Sequence, residues 1–261
     1  MSNSILPTGT VTFLFTDIEG STKLWENYPW QMQHALKRHD EILRATMKEQ
    51  AGYVFKMVGD ACCAAFIYPG EALGAALAAQ RTLFAEQWPE AIELRVRIAL
   101  HAGTAEERDG DYFGPSLNRI ARLLSVGYGG QVLLSSATYN LLRDHLELVD
   151  RQARLLDLGE HYLKDLTHPE HIYQLVVPDL PGEFPDLRTS EVNQNEELAA
   201  ELVPSYDEIR PALEIVQQMK EGRGVTGLEA EEFSGGSIRV AQNIERSDNV
   251  TGAKIGRIGP P

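Results

Sequence analysis

Phe15-Thr16-Asp17-Ile18-Glu19-Gly20-Ser21-Thr22 closes an apolar run that begins at Val11, and its reading decides the fold. Val11 to Phe15, apolar but for Thr12, reads as a buried strand. Asp17 falls at the end of that strand, and Gly20, Ser21 and Thr22 make a small-residue turn into the next segment. A carboxylate there, followed by successive backbone N–H groups of residues 18 to 22 at the mouth of a helix, suits a metal-bound phosphate. The plainer reading is that Asp17 caps the turn and that Ser21 or Thr22 caps the helix.

Outward from this strand, Trp25 to about Gln50 is predicted as one amphipathic helix with Trp30, His34, Ile42 and Met47 turned inward. Tyr53–Val58 and Ala61–Phe66 are predicted as strands joined tightly through Gly59-Asp60. A helix from Pro69 to Glu86 follows. Arg95 to His101 then alternates, with Val96, Ile98 and Leu100 on one face. Gly114-Pro115 opens another helix, Gly127 to Gly130 closes it, and Gln131 to Leu134 starts a strand. A helix at Ser136 to His145 and strands at Leu155–Leu163 and His171–Val177 complete the set. The order βαββαβ, followed by additions, predicts an α+β fold over residues 1–178, a ferredoxin-like sandwich built on an antiparallel sheet.

Composition changes after Pro178. Leu180 to Pro185 reads as a linker, and residues 179–261 hold sixteen Asp/Glu against eight Lys/Arg, which is -8 of the net charge of -14. Short helices are predicted at Asn195–Leu202 and Tyr206–Glu221, then a Gly-rich, partly disordered extension. Such a tail suits solubility, contact with a protein partner, or a joint to a further domain. The acidic balance excludes a non-specific nucleic-acid binder, because phosphate backbones are held by Lys/Arg-rich surfaces. Cys62 and Cys63 are adjacent in a strand and point to opposite faces, so no disulfide between them is expected. With no signal segment and no apolar run of ~20 residues, a soluble cytoplasmic protein without a membrane span is expected.

A second carboxylate, Asp60, follows Val58-Gly59. If the two strands pair, Asp17 and Asp60 reach one cluster of magnesium or manganese ions, to which the Ile18 carbonyl adds a ligand. Lys56 is expected on the face of Val54 and Val58, where a lysine needs a partner. In the helix after Pro115, Leu117, Ile120, Ala121 and Leu124 form the expected buried stripe, with Asn118 and Arg122 on its flank. An Arg there can neutralise charge developing on a transferring phosphorus, and an Asn can orient a sugar oxygen; a solvated Arg paired with a carboxylate is the plainer alternative. Neither a Gly-x-x-x-x-Gly-Lys-[Ser/Thr] loop nor a Gly-x-Ser-x-Gly elbow occurs, so a P-loop nucleotidase and a serine hydrolase are unsupported. The histidines and cysteines show no zinc-binding spacing.

In this order, Phe-x-Asp-Ile-x-x-Ser-Thr, Lys-x-x-Gly-Asp and Asp-x-x-Gly-x-x-x-Asn-x-x-x-Arg, the chain resembles the catalytic domain of class III nucleotidyl cyclases over about Thr10 to Val177. The resemblance implies that Asp17, Asp60 and the Ile18 carbonyl bind two divalent cations, and that Glu19 to Thr22 meet the phosphates. It implies that Lys56 and Asp111 read a purine, Asn118 orients the ribose and Arg122 stabilises the transition state. Lys164, in Leu163-Lys164-Asp165-Leu166, falls where the family often places a triphosphate contact. The implied reaction makes 3',5'-cyclic AMP and pyrophosphate from ATP in a homodimer with sites at the interface. The short run Thr104 to Gly110 before Asp111 implies a reduced dimerisation arm. Members that cyclise GTP or pyrimidine triphosphates, and a silent nucleotide-binding regulatory module, are the alternatives.

Overall fold

Residues 6–189 are described by the computed structural model. β1 (Thr10–Ile18) leads through α1 (Ser21–Asn27) and α2 (Pro29–Glu49) to the hairpin of β2 (Tyr53–Val58) and β3 (Ala61–Phe66). α3 (Pro69–Ala85) returns the chain to β4 (Val96–Thr104), and a small hairpin follows, β5 (Glu106–Arg108) and β6 (Asp111–Phe113). Then come α4 (Pro115–Ser125), β7 (Val132–Ser135), α5 (Ser136–Leu142), α6 (Leu146–Val149), β8 (Arg154–His161) and β9 (Glu170–Val176). The seven long strands join one sheet in the order β2-β3-β1-β4-β7-β9-β8. The βαββαβ unit is therefore present, with β1 between β3 and β4.

The sheet is mixed rather than antiparallel throughout, because β4 and β7 run parallel. The cause is their connection: a helix, α4, crosses over between them, and a crossover of that length returns the next strand in the same direction. α2 and α3 cover one face with Leu14, Ile18, Leu43, Met47, Leu73 and Leu100 beneath them. α4 covers the other, over Phe13, Ala99, Ile120, Leu123 and Leu133.

Two helical expectations are corrected. The predicted helix from Trp25 is broken at Tyr28-Pro29, where Tyr28 has φ -138°: proline has no N–H to continue the ladder and disfavours the α conformation in the residue before it. Restarting at Pro29 sets the buried stripe at Met32, Ala35, His39, Ile42, Leu43, Thr46 and Met47, so Ile42 and Met47 are inward while Trp30, 76% exposed, and His34 are not. In α4 the buried residues are Ser116, Ile120, Leu123 and Leu124; Ala121 is exposed and Leu117 half-buried, and Asn118 shares the exposed side.

Cys62 is buried, Cys63 half-buried, and both are free thiols, pushed up to about 12 by burial. The helices and Gly-rich extension expected within 195–261 lie outside the described residues. Residues 178–189 do not leave the body of the protein; they run back along it as a strap. Asp179 pairs with Arg81 of α3 at 2.6 Å, the Gly182 carbonyl accepts from Gln174 Nε2 at 2.8 Å, and Leu187 is buried in the core under α4. Among the described residues no helix is long and apolar enough to cross a membrane.

Candidate active site

Strand alternation sets the first group. In β1, Phe13 and Phe15 pack on the α4 side and Leu14 and Ile18 on the other, so Asp17 lies on the α4 side. Its partner in register on β4 is Arg97. Arg97 Nε and Nη2 donate to the two Asp17 oxygens, each at 2.6 Å, in the bidentate geometry that suits guanidinium and carboxylate. Burial nevertheless pushes the Asp17 carboxyl above its ordinary range, with Arg97 pulling the other way and the charges of Asp60 and Glu19 adding to the rise. Asp60, in the β2–β3 turn after Gly59 at φ +58°, accepts from the Ile18 N–H at 2.9 Å. The structure thus brings Asp17, Ile18 and Asp60 together as expected from their sequence.

The turn that follows departs from expectation in detail. The Glu19 N–H is committed to the Arg95 carbonyl at 2.9 Å, so neither Ile18 nor Glu19 has a main-chain donor to spare. No side chain caps α1; its N-cap is Gly20 at φ +67°, a left-handed conformation glycine adopts without steric cost. Gly20, Ser21 and Thr22 remain as the donors at the helix mouth, where the first N–H groups lack intrahelical acceptors. The Glu19 carboxylate points to Gly129, whose N–H it accepts at 3.2 Å, and to Arg188.

Lys56 does not share the face of Val54 that alternation predicts for it. The β2–β3 register slips between Val54 and Lys56, and a bulge of this kind sets two consecutive residues against one. Lys56 pairs with Cys63, and Val54 and Cys62 both belong to the core under α2 and α3. Lys56 therefore lies on the α4 side, opposite Val54. There Lys56 Nζ meets Asp111 Oδ2 at 2.6 Å, the side chains 24% and 19% exposed. Asp111 is delivered by the β5–β6 hairpin, whose turn residues Asp109 and Gly110 both have positive φ, 55° and 81°, as a tight primed turn requires. Tyr53 Oη clamps the hairpin through the Gly110 carbonyl at 3.2 Å. The next residue, Tyr112, is edge-on to Phe13 and Phe55, at 5.3 Å and 5.0 Å between ring centres.

Asn118 and Arg122 stand one turn apart on the open side of α4. Arg122 Nη2 donates to Asp165 Oδ2 at 2.5 Å. Lys164 is exposed beside buried Leu163, and Asp165 holds φ +61°, unusual for a residue with a side chain. Sequence reasoning passed over Arg97 and Asp165. Arg97 was legible as a charged residue breaking an apolar strand, but its register with Asp17 was not. Asp109-Gly110 was the overlooked signal of the hairpin.

Two carboxylates and one carbonyl are hard oxygen donors, the kind that hold magnesium or manganese with help from substrate phosphates. Among the described residues no three His, Cys, Asp or Glu side chains gather as a metal site, so a cation at Asp17, Ile18 and Asp60 would need further ligands from water or substrate phosphates. By this donor chemistry the residues fit the ions.

The family model described as the adenylate and guanylate cyclase catalytic domain matches residues 4–176. An uncharacterized protein of Mycobacterium tuberculosis is 40% identical over 197 residues, 75% of this chain; the match spans 66% of that relative's length. An adenylate cyclase of Neurospora crassa is 31% identical over 229 residues, covering 67% of this chain and 10% of the relative. Among solved structures, a Trypanosoma brucei adenylate cyclase in its monomeric state superposes with a TM-score of 0.63 at 28% identity, over 72% of this chain and 97% of that one.

Proposed function

The chain belongs to the adenylate and guanylate cyclase catalytic-domain family, a class III nucleotidyl cyclase domain, and from that premise we propose that it converts ATP to 3',5'-cyclic AMP and pyrophosphate. The observation that carries the choice of ATP is the Lys56–Asp111 pair, 2.6 Å apart on the α4 side of the sheet. A donor and an acceptor set side by side there match the ring nitrogen and exocyclic amino group of adenine. Guanine presents an oxygen where adenine has that amino group, and an oxygen there is no donor for a carboxylate.

Asp17, Asp60 and the Ile18 carbonyl would hold two divalent cations, magnesium or manganese. When bound, these ions lower the pKa of the ribose 3'-hydroxyl and neutralise the triphosphate. Arg97, committed to both Asp17 oxygens, keeps Asp17 oriented. Asn118 orients the ribose so that its 3'-oxygen, its proton passing to solvent water, attacks the α-phosphorus, the bond to the β-phosphate oxygen breaks, and pyrophosphate carries the charge away. Arg122 stabilises the charge on the equatorial oxygens in the transition state, and Lys164 contacts the triphosphate. The two groups act across a homodimer, the carboxylates of one copy facing the Lys56, Asn118 and Arg122 of the other. Exposure of Asn118 and partial exposure of Arg122 support this, since both are accessible to a second chain.

The test is incubation of the purified protein with ATP, GTP, CTP and UTP separately, with magnesium and then manganese, and identification of cyclic products by mass spectrometry. Cyclic AMP as the main product is expected. A cyclic pyrimidine or cyclic GMP as the main product would overturn the base assignment while retaining the cyclase chemistry, and no product from a dimeric protein would favour the regulatory-module reading.

A further inference from the structure

The strap of residues 178–189 begins just past the stretch that matches the family, residues 4–176, yet it ends against the strand-end group. We propose that Arg188 is a positioning residue for that group: by holding Glu19 it fixes the path of the chain from Asp17 to Thr22, so that affinity for a metal-bound triphosphate depends on the strap. The inference rests on the reading of Asp17, Ile18 and Asp60 as cation ligands.

Glu19 is tied to three separate segments. Its N–H donates to the carbonyl of Arg95, just before β4, at 2.9 Å, its Oε2 accepts from Gly129 before β7 at 3.2 Å, and its Oε1 accepts from Arg188 Nη2. The first bond matters for chemistry. The Glu19 N–H and the Ile18 carbonyl belong to one peptide unit, and in a trans peptide they point in opposite directions. Pinning the N–H to Arg95 aims the Ile18 oxygen away from β4, and the carboxylate bonds keep that peptide from rotating.

Arg188 is itself built in. Its Cζ lies 4.1 Å over the Tyr128 ring, its N–H donates to the Val126 carbonyl at 3.0 Å, and Tyr128 Oη donates to the Asp186 carbonyl at 2.9 Å. A buried amide relay makes a second link. Gln174 holds the strap at Gly182 and accepts from Gln131 Nε2 at 2.8 Å, and Gln131 in turn accepts from the Tyr128 N–H at 3.0 Å. Only glycine at 129 leaves room for this arrangement: a Cβ there would lie 2.4 Å from Arg95 Cβ and 2.9 Å from Glu19 Oε2.

The experiment uses the full chain and three variants, Arg188→Ala, Arg188→Lys and Arg81→Ala, the last releasing the other end of the strap from Asp179. Manganese binding is titrated by electron paramagnetic resonance in the presence of a non-cyclisable ATP analogue, alongside KM, kcat and thermal unfolding. Arg188→Ala is expected to weaken manganese binding and raise KM on the order of tenfold, the weight of one hydrogen bond to a charged group, with a smaller change in kcat. Arg188→Lys restores part of that affinity. Arg81→Ala lowers the unfolding temperature and leaves manganese affinity as in the parent. Unchanged manganese affinity in a folded Arg188→Ala protein overturns the proposal, and so does an equal loss in Arg81→Ala, which would mean general loosening. Should Arg188→Ala not fold, Arg188→Lys decides: parental affinity overturns the proposal, and intermediate affinity supports it. If the parent binds manganese but makes no cyclic nucleotide, the cyclase reading fails while the titration still judges Arg188.

Discussion

The strand-end group around Asp17 and the helix-face group around Arg122 each contain an aspartate–arginine pair and are held in opposite ways. At the strand end, Asp17 receives a bidentate Arg97, Asp60 receives a main-chain N–H, and Glu19 receives Gly129 and Arg188. On α4, Asn118 is exposed and Arg122 is paired with an Asp165 that is itself 62% exposed. An ion pair of the second kind contributes about 0–1 kcal/mol. The difference teaches that the carboxylate group is organised by the chain's own fold, whereas the helix group is free to exchange its partner for a substrate or a second copy.

The most damaging changes should therefore be at the strand end. Asp60→Ala removes both a proposed cation ligand and the acceptor for Ile18, and Asp17→Asn leaves Arg97 without its charged partner. Each is expected to lower cyclase turnover on the order of a thousandfold or more, measured as cyclic product per minute, with the circular dichroism spectrum retained. Near-normal turnover in either variant would remove the metal assignment and with it the contrast between the two groups.

Arg122→Ala comes next, with a loss of roughly a hundredfold to a thousandfold, as for removal of a transition-state donor, and little change in unfolding temperature. Mixing it with Asp17→Ala sharpens the comparison. Random pairing makes about half of the dimers mixed, each with one intact site of two, so about a quarter of parental activity should return. Mixed dimers that stay inactive would place the two groups in separate functions.

Exchanging Lys56 for Glu probes a part of the helix-side group that is more firmly built, since Asp111 is fixed by its hairpin and by Tyr112. The variant sets two carboxylates together where a donor and an acceptor stood. A fall of about tenfold or more in kcat/KM for ATP relative to GTP is expected, read from competing-substrate assays. An unchanged ratio would detach the pair from base selection.

What the sequence disclosed follows the range of the forces involved. Asp17, Asp60 and the Ile18 turn were legible because each sits at the end of an apolar run, and run ends are local. The βαββαβ order was legible from the same periodicities. The parallel pairing of β4 with β7 was not, because it depends on a crossover rather than on either strand. The direction of Lys56 was misjudged because one bulge reverses the alternation beyond Val54. Trp30 and His34 were expected inside because an apolar period was extended through Pro29, which restarts the helix in another phase. Arg97, Asp165 and Arg188 were passed over because an ion pair spanning 43 to 169 residues leaves no mark on its neighbours in sequence.

Asp165 gives the finest test of the comparison. If its contact with Arg122 is an exposed pair that substrate readily displaces, Asp165→Asn should change turnover by less than about threefold, while asparagine still tolerates the left-handed backbone at φ +61°. Asp165→Ala adds the steric cost of that conformation, about 1 kcal/mol, and should lower the unfolding temperature by a few degrees with turnover again close to the parent's. A large loss of turnover in Asp165→Asn with unfolding unchanged would mean that Asp165 holds Arg122 in its working position. The helix group would then be organised from within the chain as firmly as the strand end, and the contrast between them would fall.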